Sequence, residues 1–244
     1  MEGLFETIEK LDIFPGGLGK DGKAGMEEKF RTYMDGVLRW NEKVNLTAIT
    51  DRDEFIKKHF IDSVMCAGSP EIRGAEKIAD IGTGAGFPGV PLAILFPEKE
   101  FCFIDSLAKR LRIVDELCKE AGIENVITVH GRAEDLASKN GECREIFDCV
   151  LSRAVASMAS LAELCIPFLR TGGTFIAYKG SEFEKETEEG SVAIKEMGGE
   201  VIRTERCSDP DGSFDHGLIY IRKERKTPDK YPRKAGDPVR KPIK

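Results

Sequence analysis

The segment at residues 80–89 offers the most specific chemistry in this chain. It reads Asp-Ile-Gly-Thr-Gly-Ala-Gly-Phe-Pro-Gly, and it directly follows a short apolar stretch. Its alternate glycines, Gly82, Gly84 and Gly86, allow the backbone to take positive φ angles and to approach a ligand closely. A strand that runs into such a loop and then into a helix is typical of a site for a nucleotide-like cofactor, although glycine spacing alone is a weak signal.

Two classes of cofactor fit this loop. Gly84, Gly86 and Gly89 form the GxGxxG spacing of dinucleotide-binding proteins. Read from Asp80, the same segment resembles motif I of the S-adenosylmethionine (AdoMet) methyltransferases. An acid at that position repels a pyrophosphate but suits the ammonium group of a methionine moiety. The ring of Phe87, followed by a proline, replaces the open amides of a phosphate cradle, so these residues favour AdoMet over NAD and leave NAD as the alternative.

The composition indicates one domain with at most a small appendage. The chain has 244 residues, 41% of them hydrophobic, and no run approaches the roughly 20 apolar residues of a membrane span. Its first residues lack a signal-peptide pattern, and its seven cysteines include no CxxC pair, which is typical of reduced thiols in a cytosolic protein. Three widely separated histidines give no metal-ligand spacing. We therefore expect a cytoplasmic monomer without a membrane segment or a metal site.

Charge is distributed unevenly along the chain. Residues 222–244 contain ten Lys or Arg and three Asp or Glu, so they carry +7, and the total of −6 leaves −13 for the rest. With its prolines and Tyr231, this tail suits an extended segment that neutralises and stacks on RNA, while a solvated, floppy end is the alternative. Because the tail is far along the chain from the glycine loop, we expect removal of residues 226–244 to leave AdoMet binding intact and to reduce activity on RNA.

The hydrophobic spacing changes along the chain. Before residue 77 it is helical, with helices predicted over 26–44 and 53–67 and a loop over 19–25. After residue 77 strands and helices alternate, which predicts a parallel sheet with helices on both faces. The strands are predicted at 77–81, 99–104, 125–130, 147–151 and 173–178, with helices at 88–95, 107–121, 133–138, 157–169 and 182–197.

A closing hairpin distinguishes the folds that such alternation allows. The runs 200–206 and 217–222 are predicted to pair around a turn at 209–212. Such a hairpin is typical of the class I AdoMet-dependent methyltransferases, whereas dinucleotide-binding folds usually lack it. We therefore predict their Rossmann-like α/β fold, with a seven-stranded, mostly parallel sheet, a terminal antiparallel strand and an N-terminal helical extension. The predicted units are the extension at 1–70, the methyltransferase domain at 71–223 and the basic tail at 224–244.

Polar residues recur where the predicted strands end. In an open parallel sheet, ligands bind at this carboxyl edge. Asp105 and Ser106 follow the second strand, and an acid there can accept both hydroxyl groups of a ribose. The segment 131–134, Gly-Arg-Ala-Glu, follows the third strand, and Arg153 follows the fourth. For each residue taken singly, a helix cap or a surface charge is the structural alternative.

Short segments spread over nearly the whole chain match one family. They are Trp40-Asn41, residues 45–49 (Asn-Leu-Thr-Ala-Ile), 59–63 (His-Phe-Ile-Asp-Ser), 80–89, 131–134, 152–154 (Ser-Arg-Ala), 226–228 (Lys-Thr-Pro) and 231–236 (Tyr-Pro-Arg-Lys-Ala-Gly). Together they resemble the bacterial 16S ribosomal RNA guanine-N7 methyltransferases, the RsmG or GidB family. The resemblance implies that AdoMet is the cofactor and that 16S rRNA, or the small ribosomal subunit at some stage of its assembly, is the partner.

The resemblance also implies roles for individual residues. Asp105 is the expected ribose acid, and Arg132 and Arg153 are candidates for placing cofactor and guanine. His59 and Asp62, in the second predicted helix, are candidates for lining the substrate side, with a core histidine and a helix cap as the alternative. The candidate cofactor-binding residues are Asp80, Gly82, Gly84, Gly86, Phe87, Asp105, Ser106, Ala133, Glu134 and Arg153.

The sequence gives no residue a catalytic role as a base. Guanine N7 carries a free lone pair, so in-line attack on a sulfonium methyl group needs orientation rather than deprotonation. Where family members often carry an arginine before the last strand, this chain has His216, which would grip RNA only weakly near neutral pH. We interpret His216 as an ordinary loop histidine. An NAD-dependent oxidoreductase, for which no hydride-handling partner is found, and a non-enzymatic RNA-binding module are the alternative functions.

Overall fold

A seven-stranded sheet forms the centre of the computed structural model, which describes residues 1–14, 17, 19–154, 156–208 and 215–244. Its strands are β1 (Lys77–Ile81), β2 (Glu100–Asp105), β3 (Val126–His130), β4 (Phe147–Ser152), β5 (Leu169–Lys179), β6 (Gly199–Ser208) and β7 (Asp215–Lys223). They lie in the order β3-β2-β1-β4-β5-β7-β6. The pairs among β1 to β5 are parallel, and β7 is antiparallel to both neighbours, which confirms the predicted sheet. The turn predicted at 209–212 lies outside the described residues.

One strand begins earlier than the sequence predicts. The bounds of the other strands agree with the prediction within two residues, but β5 begins at Leu169 rather than at residue 173. Leu169 pairs with Phe147 of β4, and the register then shifts before the regular ladder resumes. Gly172, with a φ angle of 86°, lies in this irregular stretch. A bulged strand that passes through glycines leaves no alternating pattern to detect, which explains the difference.

Helices form the N-terminal part of the chain, with differences from the prediction. They are α1 (Glu2–Lys10), α2 (Lys20–Asn41), α3 (Arg52–Phe55), a π-helix (Ile56–Ile61), α4 (Asp62–Val64) and α5 (Pro70–Arg73). The predicted loop at 19–25 is wrong, because α2 already begins at Lys20, and Gly25 lies where no atom would meet a Cβ. Helix α1 was not predicted; it has nine residues and is held by burial of Leu4, Phe5 and Ile8 rather than by propensity.

Helices cover both faces of the sheet. They are α6 (Gly89–Leu95), α7 (Ala108–Glu120), α8 (Ala133–Leu136), α9 (Met158–Cys165) with a 3₁₀ turn after it (Ile166–Phe168), and α10 (Phe183–Met197). One apolar core lies under α6 and α7, and a second lies under α9 and α10. Phe30, Tyr33 and Phe60 of the N-terminal helices belong to the first core together with Val90 and Leu117. The extension thus shares the core of the sheet domain, and a domain boundary at residue 70 stays a prediction.

The basic tail lies against the domain and ends in a short helix, α11 (Asp237–Arg240). The Arg144 guanidinium group donates to the carbonyl oxygens of Thr227 at 2.7 Å and of Tyr231 at 2.9 Å. Arg233 forms an ion pair with the fully buried Glu163 of α9. These contacts do not fit the alternative of a solvated, floppy end, whereas contact of the tail with RNA stays a prediction.

Candidate cofactor and substrate site

The glycine loop between β1 and α6 takes the left-handed conformation three times. The φ angles are 73°, 60° and 85° at Gly82, Gly84 and Gly86. A Cβ on Gly86 would overlap the hydroxyl group of Tyr33, which donates to the Ala85 carbonyl oxygen at 3.0 Å. A Cβ on Gly84 would meet nothing closer than 3.9 Å. Gly86 is therefore required for packing the loop on α2, while Gly84 leaves its backbone open to a ligand.

The two glycines should differ in their effect on stability. We expect Gly86→Ala to lower the thermal midpoint by about 8 °C, since overpacking and a left-handed alanine each cost about 1–3 kcal/mol. Gly84→Ala, strained only by its φ angle, should lower it by about 2–4 °C. Thermal denaturation of both variants measures the difference. Equal losses would show that the Tyr33 contact does not restrict residue 86.

Asp80 lies beneath the loop and holds its two ends together. Its Oδ2 accepts hydrogen bonds from the Thr83 hydroxyl at 2.8 Å and from the Gly89 amide at 3.0 Å. The side chain is fully buried, and its other oxygen has no partner in the described structure. Burial raises the pKa of Asp80 to about 6. The observed role of Asp80 is to fasten the loop, and its direct contact with a methionine ammonium group stays a prediction.

An open cleft, with about 640 Å³ of space that includes open solvent, lies at the carboxyl ends of β1 to β4. Six of the predicted residues line it, and they are Gly82, Asp105, Ser106, Arg132, Ala133 and Glu134. Its apolar lining includes Leu161, Leu164 and Cys165 of α9, and Val239 of α11. Carboxylates beside apolar side chains fit the hydroxyl groups and the aromatic ring of a nucleoside, so the residues present fit AdoMet. The other predicted cofactor-binding residues, Asp80, Gly84, Gly86, Phe87 and Arg153, are not in its lining.

Asp105, at the end of β2, connects the cleft to the glycine loop. Its Oδ2 accepts a hydrogen bond from the Gly84 amide at 3.0 Å, and its Oδ1 accepts one from the Leu107 amide at 2.8 Å. An ionised carboxylate can accept about four hydrogen bonds, so capacity for two ribose hydroxyl groups remains. The structure thus places the predicted ribose acid in the cleft while giving it a second task, which is to orient Gly84.

Arg153, after β4, is the centre of a second group of polar side chains. Its guanidinium group donates to Asp62 Oδ2 at 2.7 Å, to the Lys58 carbonyl oxygen at 3.0 Å and to His59 Nδ1 at 3.2 Å. The ring of Phe87 stacks on His59 with 4.5 Å between centroids and 2° between planes. Phe87, which was predicted to contact the cofactor, therefore packs against this second group. The structure brings together three of the four predicted substrate-positioning candidates, His59, Asp62 and Arg153, whereas the fourth, Arg132, lines the first cleft.

His59 is held in its neutral form. Burial, followed by the charge of Arg153, lowers the pKa of His59 to about 3. A guanidinium group only donates, so Nδ1 must be the acceptor and Nε2 must carry the hydrogen. That Nε2 lies 2.8 Å from the Thr47 hydroxyl oxygen and donates to it. Both ring nitrogens are engaged, so His59 is not poised to remove a proton from a substrate.

His216 belongs to the same group, although the sequence suggested an ordinary loop histidine. It lies on β7, and its Nδ1 is 2.8 Å from Asp62 Oδ1. The hydrogen bond to Asp62 and the charge of that carboxylate raise the pKa of His216, against burial and the charge of Arg153. Burial opposes ionisation of Asp62, but the hydrogen bond from His216 and the charge of Arg153 outweigh it and lower the pKa of Asp62. The interpretation of His216 as an unengaged loop residue is wrong.

The stabilisation from the His216–Asp62 pair should depend on pH. Because the pKa of His216 is raised above 6.5 in the folded state, the contribution is fully present below pH 6.5 and is lost as the pH rises through the folded value. Arg153 and Asp215 are the other charges that act on His216, and they lower and raise its pKa respectively. We expect the thermal midpoints of wild type and His216→Ala to differ by about 2–4 °C at about pH 6 and to converge at about pH 9. A difference that stays constant with pH would show that the pair is not ionic.

A second cleft, of about 580 Å³, adjoins the first. Its lining includes Arg153, Tyr178, Lys179 and His216. Ala154 lines both clefts, so they meet at the residue that follows Arg153. A cofactor in the first cleft and a nucleobase in the second would face each other there. The arrangement can therefore bring two small aromatic ligands together at the carboxyl edge of the sheet.

The chain is similar in sequence to one protein family. A sequence model of the GidB family, described as rRNA small subunit methyltransferase G, matches residues 26–214. Ribosomal RNA small subunit methyltransferase G of Clostridium tetani is 46% identical over 215 residues, which cover 88% of this chain and 90% of that protein. The protein of the same name from Clostridium novyi is 45% identical over 215 residues, which cover 88% of each chain.

A solved structure resembles the fold. It is the O-methyltransferase of Bacillus cereus in complex with SAH, with a TM-score of 0.54 and 18% identity, covering 79% of this chain and 91% of that one. At this identity the likeness concerns the fold alone. It confirms the class I, Rossmann-like methyltransferase fold that the alternation of strands and helices, together with the closing hairpin, predicted.

Proposed function

Because the chain belongs to the GidB family of rRNA small subunit methyltransferase G proteins, we propose that it transfers a methyl group from AdoMet to N7 of a guanosine in 16S ribosomal RNA. The resemblance seen in the sequence motifs is confirmed by this membership, and with it an AdoMet-dependent activity on small-subunit rRNA. Neither alternative, an NAD-dependent oxidoreductase or a non-enzymatic RNA-binding module, is favoured by these relatives.

The observation that carries the choice of N7 is the state of the titratable groups in the second cleft and around Arg153, which lines it. His59 is neutral with both nitrogens engaged, and Asp62 is paired with Arg153 and His216. Lys179, in the second cleft, is paired with Glu186. None of these groups is placed to remove a proton, and N7 of neutral guanine is a nucleophile that needs none removed.

The residues act by placing the reactants. AdoMet, when bound, supplies the electrophilic methyl group. Asp105 would hold the ribose hydroxyl groups, and Ser106, Ala133 and Glu134 would line the rest of the nucleoside site. Arg153 would fix the substrate side through its hold on His59 and Asp62. Orientation of this kind can contribute about 7–11 kcal/mol to lowering a barrier, so a site without a base suffices.

The partner proposed is the 16S rRNA of the small subunit, taken up by a monomer in the cytoplasm. Exposed cations of the C-terminal residues, Lys234, Arg240, Lys241 and Lys244, together with Arg132 in the lining of the first cleft, suit a phosphate backbone. All seven cysteines are free and buried, which supports a reducing compartment. None of the helices in the described ranges combines the length and apolar character needed to span a membrane.

Mapping of the modified base tests this proposal. The full chain is incubated with labelled AdoMet and either naked 16S rRNA or small subunits from a strain that lacks the enzyme. Borohydride reduction and aniline cleavage, which act at N7-methylguanine, then locate the product. We expect one labelled guanosine and cleavage at that position. Label without cleavage would mean that another atom accepts the methyl group, and no label on either substrate would overturn the proposal. Calorimetric titrations with AdoMet and with NADH, of which only AdoMet should bind, test the cofactor separately.

A further inference from the structure

Residues 233–240, here called the C-terminal strap, pack against α9 and reach the first cleft. The Gly236 amide donates to Glu134 Oε1 at 2.7 Å. The Ser160 hydroxyl donates to the Pro238 carbonyl oxygen at 2.9 Å. Glu134 lies at the start of α8 and lines the cleft, so one hydrogen bond of the strap is made to a residue of the candidate cofactor site. These contacts join residues 102 and 78 positions apart in the chain.

The base of the strap is anchored independently of the cleft. The Arg233 amide donates to Glu163 Oε1 at 2.7 Å, and its Nε donates to both oxygens of that carboxylate at 2.9 and 3.0 Å. Glu163 is fully buried, and a buried carboxylate is stable only when it is paired. The strap therefore leaves the domain surface at a fixed point, and residues beyond Lys234 can be removed without breaking that pair.

Val239 is the strap residue that lines the cleft. Its side chain is 56% exposed, yet it shares the lining with Leu161, Leu164 and Cys165. When a ligand covers a half-exposed apolar side chain at the border of an apolar cleft, the burial of that side chain stabilises the complex. Glu134 also lines the cleft. Its carboxylate can accept further hydrogen bonds beside the one from Gly236, and an exocyclic amine could donate one. An aminopurine ring offers both an apolar face and such an amine.

We propose that the C-terminal strap is part of the AdoMet site, where Val239 and the Gly236–Glu134 bond form the lining for the adenine ring. Binding of the cofactor and docking of the strap then stabilise each other, because coupling between two binding events is reciprocal. The inference rests on the proposed use of the first cleft for AdoMet. It reverses the expectation from sequence that removal of residues 226–244 leaves AdoMet binding intact, an expectation based only on distance along the chain.

Truncation after Lys234 tests the proposal. This variant keeps the Arg233–Glu163 pair and loses Gly236, Pro238 and Val239. We expect its affinity for AdoMet in calorimetry to fall about tenfold, and that of Val239→Asp in the full chain to fall about threefold or more. Val192→Asp is the matched control, because Val192 is a valine of similar exposure, 47%, on α10 outside the cleft lining. Its affinity should not change.

Hydrogen exchange supplies a readout that does not depend on turnover. In the full chain, S-adenosylhomocysteine should slow exchange at the Gly236 amide, and should leave unchanged the Glu224 amide, which donates to the Gly198 carbonyl oxygen. If the truncated chain fails to fold, Val239→Asp and the exchange measurement decide. If both variants keep their affinity for AdoMet and the Gly236 amide is not protected, the strap is not part of the AdoMet site, and the proposed function stays in place. Failure of the full chain to bind AdoMet would instead overturn the proposed function, and the inference with it.

Discussion

Replacing Arg153 with lysine should slow methyl transfer to RNA about 100-fold, while the affinity for AdoMet changes less than about threefold. The guanidinium group holds three acceptors at once, on Lys58, His59 and Asp62, at 2.7 to 3.2 Å. An ammonium group is a compact point donor and cannot keep three diverging acceptors in place. The residues lining the substrate side would shift, and a shift of about 1 Å can cost about 100-fold in rate. Single-turnover transfer of labelled methyl groups gives the rate, and calorimetry gives the affinity.

A matched substitution separates this effect from a general effect of replacing an arginine with a lysine. Arg31→Lys changes an exposed arginine of α2 whose partner is Glu27, one turn away, and it should leave both quantities unchanged. The contrary result for Arg153→Lys would be a fall in affinity as large as the fall in rate. Arg153 would then act on the cofactor, as the family resemblance implied, and its assignment to the substrate side would be wrong.

The sheet and the first cleft could be predicted because they follow from local patterns. Alternating strands and amphipathic helices specify a parallel sheet, and a parallel sheet brings the ends of its strands to one edge. Residues at or shortly after the ends of β2 and β3, such as Asp105 and Glu134, must therefore lie near the loop after β1. The sequence needed no long-range information to place them in one site.

The second group could not be predicted in the same way. Arg153 meets Asp62 and His59 across 91 and 94 positions of the chain, and His216 meets Asp62 across 154. These contacts depend on how the N-terminal helices pack against the sheet, which no periodicity records. The α-helical rule that residues three apart share a face does not apply to His59 and Asp62, because His59 lies in the π-helix Ile56–Ile61.

The strap escaped prediction for a different reason. Prolines and charges dominate the tail, and its single cleft residue, Val239, belongs to no apolar pattern. Such composition is also that of a disordered end, since few of its side chains can be buried. Its docking depends instead on polar contacts with distant residues, which are the Arg233–Glu163 ion pair and the hydrogen bonds of Gly236 and Pro238, and the composition of a basic tail gives no sign of these partners.

Replacing Asp105 with alanine should weaken AdoMet binding at least about tenfold. Hydrogen bonds to a charged acceptor contribute about 1.5–3 kcal/mol each, and two ribose hydroxyl groups would lose theirs. The variant also leaves the Gly84 and Leu107 amides without their acceptor, so the loop itself would relax. A simple fall in affinity therefore cannot tell whether Asp105 binds the ribose or only orients Gly84.

A cycle of two changes makes that distinction. Affinities are measured by calorimetry for wild type and Asp105→Ala, each with AdoMet and with an analogue that lacks the ribose hydroxyl groups. If Asp105 binds the hydroxyl groups, wild type should prefer AdoMet over the analogue about tenfold or more, and the variant should show almost no preference, because the two changes remove the same interaction. If Asp105 acts only by orienting Gly84, both ligands should lose affinity equally and the preference should persist in the variant. That second outcome would remove the ribose role from Asp105 and leave it as a support of the glycine loop, with the ribose held by other residues at the ends of β2 and β3.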